Sequence, residues 1–272
     1  MSNRHFQLKT ACALLFALTA LCPTKAAAVE LDADLLVVGG SESACAAAVQ
    51  AARMGVTNIV LVNDIEWVGG EFSTEALAAI DENKTKSVDH ATPFPRSGLF
   101  REVIDAIETL NSNKYNGVSR PGNTRVITTS LPADSEQVFR NLLQPYETNG
   151  PIRRYSDYVP VEVLTNAAGT LVEGVAFEST HTPVSSLTVR AALTIDASDW
   201  GEVIKLSGAD YDFGPDTKAE FGEPDAPASA YPATDLNPVS YCLIAYRTNT
   251  TQIIPQPAGY DERDFTEGRW AY

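Results

Sequence analysis

LLVVGGSESA, residues 35–44, is a short apolar run that ends at a pair of glycines and a polar turn. A continuous apolar run of this length is typical of a parallel strand buried on both faces of a sheet. The alanine-rich segment Ser43–Met54 favours a helix with Gly55 as its stop, and Asn58–Val62 (NIVLV) predicts a second buried strand. Strand, tight turn, helix and strand in this order predict a βαβ unit.

The turn of this unit fits the dinucleotide-binding pattern G-x-G-x-x-G/A, with Ser41 in place of the second glycine. Gly39 would form the tight turn, Ala44 is small enough for helix packing, and phosphate would lie on the free N–H groups where the helix begins. The candidate cofactor contacts are Gly39, Gly40, Ser41, Glu42, Ser43 and Ala44. A bulky residue at Gly39 is expected to remove dinucleotide binding at a smaller cost to the fold. A turn with a purely structural role is the alternative.

An acid that holds the ribose diol is expected at the end of the second strand, where this chain has Asn63 and Asp64. Asn63 can accept a hydrogen bond from a hydroxyl but lacks the charge of a carboxylate, and Asp64 can substitute for it. A charge-assisted bond contributes about 1.5–3 kcal/mol against roughly 1 for a neutral one, so Asn63 is expected to weaken binding about tenfold. A plain turn after a strand is the alternative for both residues.

Two helices are predicted in the next part of the chain. Ser97–Leu110 places its apolar residues at helical spacing. Asp134–Leu143 is expected to be capped by Asp134 and ended by Pro145. The polar, turn-rich segment Asn111–Pro132 between them predicts an irregular excursion on the surface.

Short β-type runs follow Ile152 and predict a β meander with strands at Val161–Leu164, Leu171–Phe177 and Ser186–Val189. Ala191–Ile195 predicts one more strand, which leads directly into Asp196-Ala197-Ser198-Asp199. Open α/β sheets bind ligands at the carboxyl ends of their strands, so we expect Asp196 and Asp199 at the same end as Gly39. The alternative is an Asx turn that caps a helix starting near Trp200.

Residues 59–70, IVLVNDIEWVGG, resemble the segment of FAD-dependent oxidoreductases in which the ribose acid is followed, six residues on, by a Gly-Gly pair. The resemblance implies that this pair and the residues after it run along the pyrophosphate and ribityl chain toward the flavin ring. Gly69, Gly70, Ser73 and Thr74 are then candidate contacts of FAD.

Residues 195–202, IDASDWGE, are similar to the Asp-Ala-Thr segment of the same family, where a returning strand presents an acid to the ribityl region. That similarity implies Asp196 and Asp199 as contacts of the cofactor. In such flavoproteins the β meander also brings backbone toward the adenine, which implies a contact at Val161. Residues 206–211 and 220–224 look like the family as well.

The predicted fold class is α/β, and the resemblance implies a Rossmann-like FAD/NAD(P)-binding domain with a central parallel sheet, a three-stranded β meander and the beginning of a substrate domain. The expected boundaries are residues 1–28 for a signal peptide, 29–209 for the FAD-binding domain and 210–272 for the start of the substrate domain. Inside the FAD-binding domain, a helical excursion is expected at about residues 75–150 and the meander at about residues 152–190. Relatives of this type are usually longer, so the chain is expected to lack part of the substrate domain and to hold FAD weakly on its own.

The N-terminal residues have the order of parts of a secretory signal peptide: the charges of Arg4 and Lys9, an apolar run Ala11–Leu21, and Ala26–Ala28. The apolar run is shorter than the roughly 20 residues that span a bilayer, which disfavours a membrane anchor, and a buried helix is the other alternative. We therefore expect an exported chain, secreted or periplasmic, without membrane attachment after cleavage.

The formal net charge of −15 disfavours nucleic acid and anionic membrane surfaces as partners, although the solubility of an exported protein explains the charge better. Of the four cysteines, Cys45 and Cys242 lie outside the signal segment, too few for a disulfide scaffold. Cys45 falls on the first predicted helix, where a small buried residue is expected.

The resemblance implies an FAD-dependent oxidoreductase that acts on a small-molecule or carbohydrate substrate, with FAD as cofactor and no metal. Two alternatives stay open: a polysaccharide-acting lyase or carbohydrate-binding relative with a structural or vestigial flavin site, and a truncated product without activity. No catalytic residue can be assigned, because His90 and His181 lie in polar segments that favour solvated surface histidines.

Overall fold

A computed structural model of the chain describes residues 28–80, 96–122, 128–181, 184–229, 242, 244–245, 248–253 and 255–263. The predicted signal peptide, apart from Ala28, and His90 lie outside these residues. The helices and strands are β1 (Val29–Val38), α1 (Glu42–Arg53), β2 (Ile59–Val62), α2 (Gly98–Lys114), α3 (Pro132–Glu147), β3 (Ile152–Tyr155), β4 (Tyr158–Thr165), β5 (Val172–Ser179), β6 (Ser186–Asp196), α4 (Glu202–Ser207) and α5 (Lys218–Phe221).

The strands form one six-stranded sheet in the order β3-β2-β1-β6-β5-β4. β1 is parallel to β2, with Leu36 opposite Val60, and it is also parallel to β6, with Val38 opposite Asp196. The predicted βαβ unit is therefore confirmed. Its consequence is that β1, β2 and β6 all end at the same edge of the sheet, which we call the carboxyl edge.

Alternate side chains of β1 enter two different cores, because successive residues of a strand point to opposite faces. Leu35 and Val37 pack with α1, α2 and α3, whereas Leu36 packs on the other face with buried residues of β5 and β6 such as Phe177 and Val189. Full burial of one such side chain contributes about 1.5–3 kcal/mol. The parallel strands are thus packed on both faces, and this packing fixes the positions from which the turns at the carboxyl edge begin.

The two predicted helices are present, but both are longer than expected. α2 continues to Lys114, into the segment predicted to be irregular. α3 begins at Pro132, which fits the first helical position, so Asp134 lies inside the first turn and pairs with Lys114 at 2.7 Å instead of capping the helix. α3 also runs past Pro145 to Glu147, since a proline near the end of a helix removes only one terminal hydrogen bond.

The predicted meander differs from the structure at both of its ends. Ile152 opens β3, which pairs parallel with β2 at the edge of the sheet and is not a meander strand. The runs Ser186–Val189 and Ala191–Ile195 form one continuous strand, β6. Arg190 interrupts the apolar pattern only because it lies on the exposed face, between two buried neighbours. β6 therefore pairs with β1 along one side and antiparallel with β5 along the other.

Cys45 is buried on α1, as expected, and neither Cys45 nor Cys242 forms a disulfide. Burial raises the pKa of the Cys45 thiol to about 12, so almost none of it is thiolate at neutral pH. Cys45 is therefore a packing residue. Among the described helices, none combines the length and the apolar character required to cross a bilayer.

Candidate functional site

The turn between β1 and α1 presents a row of free backbone N–H groups at the carboxyl edge. The N–H of Gly39 donates to the Val62 carbonyl at 2.7 Å, and helical bonding resumes at Cys45, whose N–H donates to the Ser41 carbonyl at 3.1 Å. Between them, the N–H groups of residues 40–43 donate to no acceptor in the part of the chain that the structure describes. Four adjacent donors at the positive end of a 12-residue helix form a cradle for a phosphate group.

Ser41 lies where the fingerprint has its second glycine, yet its side chain does not project into this cradle. It caps α1 by accepting a hydrogen bond from the N–H of Ala44 at 3.2 Å, and it donates to the carbonyl of Ala197 at 2.8 Å. Ala44 is fully buried against the sheet, as the fingerprint requires of its third position. The turn therefore keeps its shape with serine at this position.

Gly39 forms the tight turn, as predicted, and it also packs against backbone that is distant in the sequence. Its φ is +121°, and an added Cβ would lie 2.1 Å from the carbonyl oxygen of Ala197. The N–H of Ala197 also donates to the Val38 carbonyl at 2.8 Å, which holds the two segments together. The expectation that bulk at Gly39 costs the fold little is therefore wrong, because the space next to this glycine is filled by the backbone that follows β6.

Asn63 is buried, with 2% of its surface exposed. Its Nδ2 donates to the carbonyls of Ile65 at 2.8 Å and Trp67 at 2.7 Å, and its amide fills the space where Gly40 would carry a Cβ. Its Oδ1 accepts no hydrogen bond from the described residues. The amide nitrogen of Asn63 thus holds the loop after β2 in shape, and its Oδ1 is left as an acceptor for a ligand. Asp64, the next residue, is exposed.

The Gly69-Gly70 pair packs directly on the β1–α1 turn. The N–H of Gly69 donates to the Gly40 carbonyl at 2.7 Å, and an added Cβ on Gly70 would lie 2.2 Å from Oε2 of Glu42. Of the residues that follow, Ser73 is buried and donates to the Val68 carbonyl at 2.7 Å, and Thr74 donates to the Gly70 carbonyl at 3.0 Å. The backbone of the Gly-Gly pair is positioned for a ligand, whereas the hydroxyls of Ser73 and Thr74 form hydrogen bonds within the loop.

The prediction that β6 carries Asp196 and Asp199 to the end of the sheet that holds Gly39 is confirmed. Both carboxylate oxygens of Asp196, however, already accept hydrogen bonds from residues that follow it closely in the chain. Oδ1 accepts from the N–H and the hydroxyl of Ser198 at 3.1 and 2.6 Å, and Oδ2 accepts from the N–H of Ile204 at 2.9 Å. This is the Asx-turn and helix-capping arrangement given above as the alternative, so only Asp199 is open to a ligand.

The chain at the ends of β1, β2 and β6 and at the start of β4 encloses a crevice at the carboxyl edge, which we call the edge crevice. It is lined by Val38–Gly40, Val62–Asp64, Tyr158, Pro160, Ser198–Trp200 and Glu202. Val161 does not line it, because the β4 side chains that do so are Tyr158 and Pro160, next to an irregularity in the pairing of β4 with β5. The sequence reasoning missed both residues; a period-two alternation in β4 starting from Tyr158 would have indicated them.

The edge crevice is acidic, and none of the described residues that line it is a lysine, arginine or histidine. Although the Asp199 side chain is exposed, partial desolvation and then the charges of Asp64 and Glu202 raise its pKa. Desolvation raises the pKa of Glu75 as well, with the charges of Glu71, Asp199 and Glu42 adding to it. Among the described residues, no such carboxylate group is arranged to hold a metal ion. Among the described residues, the attraction for a phosphate here therefore comes from the backbone N–H groups of residues 40–43, of which Gly40 lines the crevice.

A much larger groove, of about 900 Å³, lies between α2 and α3. Its floor is aliphatic, with residues such as Val103, Leu110 and Val138, and its rim mixes acids, amides and Lys114. It lies away from the carboxyl edge and presents no row of free N–H groups. We therefore place the candidate site at the edge crevice and not in the groove of larger volume.

Comparison with protein families gives one match over nearly all of the chain. A family model described as FAD dependent oxidoreductase matches residues 34–272. No curated protein matches the chain. Neither this match nor the described site favours the polysaccharide-acting alternative.

Solved structures with a partly similar fold include Thermovibrio ammonificans THI4, with 15% identity, a TM-score of 0.40, and coverage of 61% of this chain and 57% of that one. The glycerol-3-phosphate dehydrogenase from Bacillus halodurans complexed with FAD has 14% identity, a TM-score of 0.41, and coverage of 65% and 36%. The polycyclic ketone monooxygenase from Thermothelomyces thermophila has 10% identity, a TM-score of 0.41, and coverage of 65% and 25%. The chain matches less than two thirds of the length of each.

Proposed function

The chain belongs to the FAD-dependent oxidoreductase family, and on that basis we propose that it binds FAD across the edge crevice and oxidises or reduces a small-molecule or carbohydrate substrate. The observation that carries the proposal is the row of free N–H groups at residues 40–43, at the start of α1 and at the end of β1. A dinucleotide pyrophosphate is the anion that this position in a βαβ unit suits.

The described residues fit the cofactor from its adenylate half to its pyrophosphate. The N–H groups of residues 40–43 would hold the pyrophosphate, and Oδ1 of Asn63 with the carboxylate of Asp64 would accept hydrogen bonds from the ribose hydroxyls. The backbone of Gly69-Gly70 would continue along the chain toward the ring. When bound, FAD supplies the hydride or electron transfer, and the protein supplies position and electrostatics.

Export belongs to the same proposal. Its support is the sequence of the first 28 residues, with two cationic residues, an apolar run and three alanines, together with the acidic net charge of −15. The substrate would then be met outside the cytoplasm, and analysis of the N-terminus of the mature secreted protein tests this part of the proposal.

The Ser43→Glu substitution tests FAD binding without a loss of folded protein. A carboxylate in the first turn of α1 favours the helix through its dipole but repels a pyrophosphate held on the same N–H groups. We expect full-length protein carrying this change to keep its thermal stability and to bind FAD roughly tenfold more weakly or worse. The matched control is Gln50→Glu, which adds the same charge at an exposed position near the other end of α1.

FAD affinity is measured by equilibrium dialysis or flavin fluorescence, and the stoichiometry by flavin absorbance after gel filtration. Wild-type protein that binds no FAD would refute the proposed function. Equal affinities in the two variants would show that FAD binds somewhere other than the start of α1.

FAD affinity is also expected to depend on pH, because Asp199 opposes an incoming anion when it is ionised. Its pKa is raised in the free protein, and a bound pyrophosphate raises it further, so binding takes up protons. The affinity should therefore increase as the pH falls from neutral toward the raised pKa of Asp199, because protonation of this carboxylate removes its repulsion of the bound phosphates.

The Asp199→Asn variant tests this origin of the pH dependence. It should bind FAD roughly two- to tenfold more tightly than wild type at neutral pH, and this difference in affinity should decrease as the pH falls. An unchanged pH profile in the variant would exclude Asp199 as the titrating group.

A further inference from the structure

Trp200 is an exposed aromatic residue in the lining of the edge crevice. Its side chain is 78% exposed, and it lies between Asp199 and the left-handed Gly201, just before α4. We propose that Trp200 stacks on the adenine ring of the bound dinucleotide and that Glu202, two residues on, accepts a hydrogen bond from the exocyclic amine of that ring. This assignment rests on the proposed function and extends it to recognition of the base.

The shape of the edge crevice requires a cover for any base that binds there. Its volume is about 20 Å³, enough for roughly one water molecule, so a planar base must lie across it and not inside it. Tyr158 and Pro160 form one side, and the hydroxyl of Tyr158 is held by Ser185 at 3.1 Å. Without a cover, one face of the base would stay in water. Trp200, which lines the same crevice and is largely exposed, can cover that face, with the stacking geometry that aromatic rings favour.

The positions of the residues that would bind ribose and pyrophosphate indicate that Trp200 lies at the adenylate end of the cofactor site. Asn63 and Asp64, the acceptors for ribose hydroxyls, line the edge crevice together with Trp200. The Gly69-Gly70 pair does not line it and lies on the other side of the β1–α1 turn, against Glu42. In a dinucleotide the ribose separates the base from the pyrophosphate, so the ring next to Trp200 is the adenine and not the flavin.

Glu202 provides a second, independent observation. Its Oε2 is shielded from solvent and has no hydrogen-bond partner among the described residues. A buried carboxylate oxygen without a donor is unfavourable. Because Glu202 lines the edge crevice, a rotation of its side chain toward a ligand N–H would give this oxygen a donor and remove that cost. The amine of adenine is such a donor. Hypoxanthine has a carbonyl in the same place, which Glu202 would repel.

The segment that carries both residues is held in place before any ligand arrives. Asp196 bonds to Ser198 and to the N–H of Ile204, and the hydroxyl of Ser198 accepts from the N–H of Glu202 at 3.1 Å. Little conformational entropy is then lost when the base binds. The Trp200 side chain can move while its backbone stays fixed.

The first experiment measures ADP and FAD affinity of the full chain by calorimetry for wild type, Trp200→Ala and Trp200→Phe. Loss of a base–aromatic stack corresponds to about a 5- to 150-fold weaker binding, so Trp200→Ala should weaken ADP and FAD by the same factor within that range. Trp200→Phe should recover most of the loss. Met54→Ala is the matched control, since Met54 is 76% exposed at the opposite end of α1 and should leave both affinities unchanged.

The second experiment compares ADP with inosine diphosphate, which differs at the exocyclic group of the base. Wild type should prefer ADP by roughly tenfold or more, and Glu202→Ala should remove the preference, with any loss of folded protein cancelling in the ratio.

An unchanged ADP affinity in Trp200→Ala, alone or with a weakened FAD affinity, would overturn the stacking role, and equal binding of the two nucleotides by wild type would overturn the role of Glu202. Wild type that binds neither ADP nor FAD would refute the proposed function instead.

Discussion

Gly39→Ala is expected to lower the free energy of unfolding by about 2–5 kcal/mol, one of the two largest effects that we predict for a single substitution in this chain. Two costs add together. A φ of +121° is unfavourable for any residue with a Cβ, and that Cβ would lie 2.1 Å from the carbonyl oxygen and 2.5 Å from the carbonyl carbon of Ala197. Since the clash is with backbone, no side-chain rotation relieves it. FAD binding should be lost together with the fold.

Gly55→Ala is the matched control for this prediction. Gly55 also has a positive φ, +95°, but apart from its chain neighbours no heavy atom of the described residues lies within 4 Å of an added Cβ. The control should therefore cost only about 1–2 kcal/mol, and chemical denaturation of both variants gives the difference. If the two variants are equally stable, the contact between the turn and the segment after β6 does not constrain Gly39.

Asn63→Asp should have the second large effect on the free energy of unfolding. This loss of stability is the opposite of what the dinucleotide fingerprint alone suggests. The fingerprint favours an acid after the second strand, but here the Nδ2 group donates to the carbonyls of Ile65 and Trp67. A carboxylate of the same shape would place an oxygen against both carbonyl oxygens in a site that is 2% exposed. We expect a loss of about 2–5 kcal/mol above neutral pH and no gain in FAD affinity.

The pH dependence of this variant identifies the cause. Burial next to two carbonyls raises the pKa of the new carboxyl in the folded state above its unfolded value, so the folded protein binds the proton more tightly. Stability of Asn63→Asp relative to wild type should therefore increase as the pH falls, since the protonated carboxyl can donate one hydrogen bond. Asp64→Asn, at the exposed neighbouring residue, should change stability by less than about 0.5 kcal/mol. Wild-type stability of Asn63→Asp at about pH 8 would show that the loop after β2 does not depend on the amide.

The parts of the fold that local sequence determines were predictable. β1, α1 and β2 each have the composition and periodicity of their element, and the glycine turn between them leaves few alternatives. The same holds for the return of the strand before Asp196, because a functional acid at the end of a strand is expected at the carboxyl edge. The family resemblance of residues 59–70 and 195–202 agrees with the family model that matches residues 34–272.

The errors occurred where a contact distant in sequence determines the role of a residue. Asn63 could not be recognised as a loop-shaping amide without its partner carbonyls, nor Gly39 as a packing position without Ala197. β3 was grouped with the meander because nothing in its four residues distinguishes a parallel edge strand from an antiparallel one. Tyr158 and Pro160 were missed for a different reason, because the period-two alternation of a strand was not applied to β4 from Tyr158 onward.

The most direct test of the central claim is an amide NMR titration of the ¹⁵N-labelled full chain with FAD. We predict that the largest chemical-shift changes, with slowed hydrogen exchange, occur at the N–H groups of residues 40–43, which donate to no described acceptor in the free chain. The N–H of Gly55, beyond the other end of α1, should not change. Shift changes confined to the groove between α2 and α3, with residues 40–43 unaffected, would contradict the placement of the cofactor at the carboxyl edge.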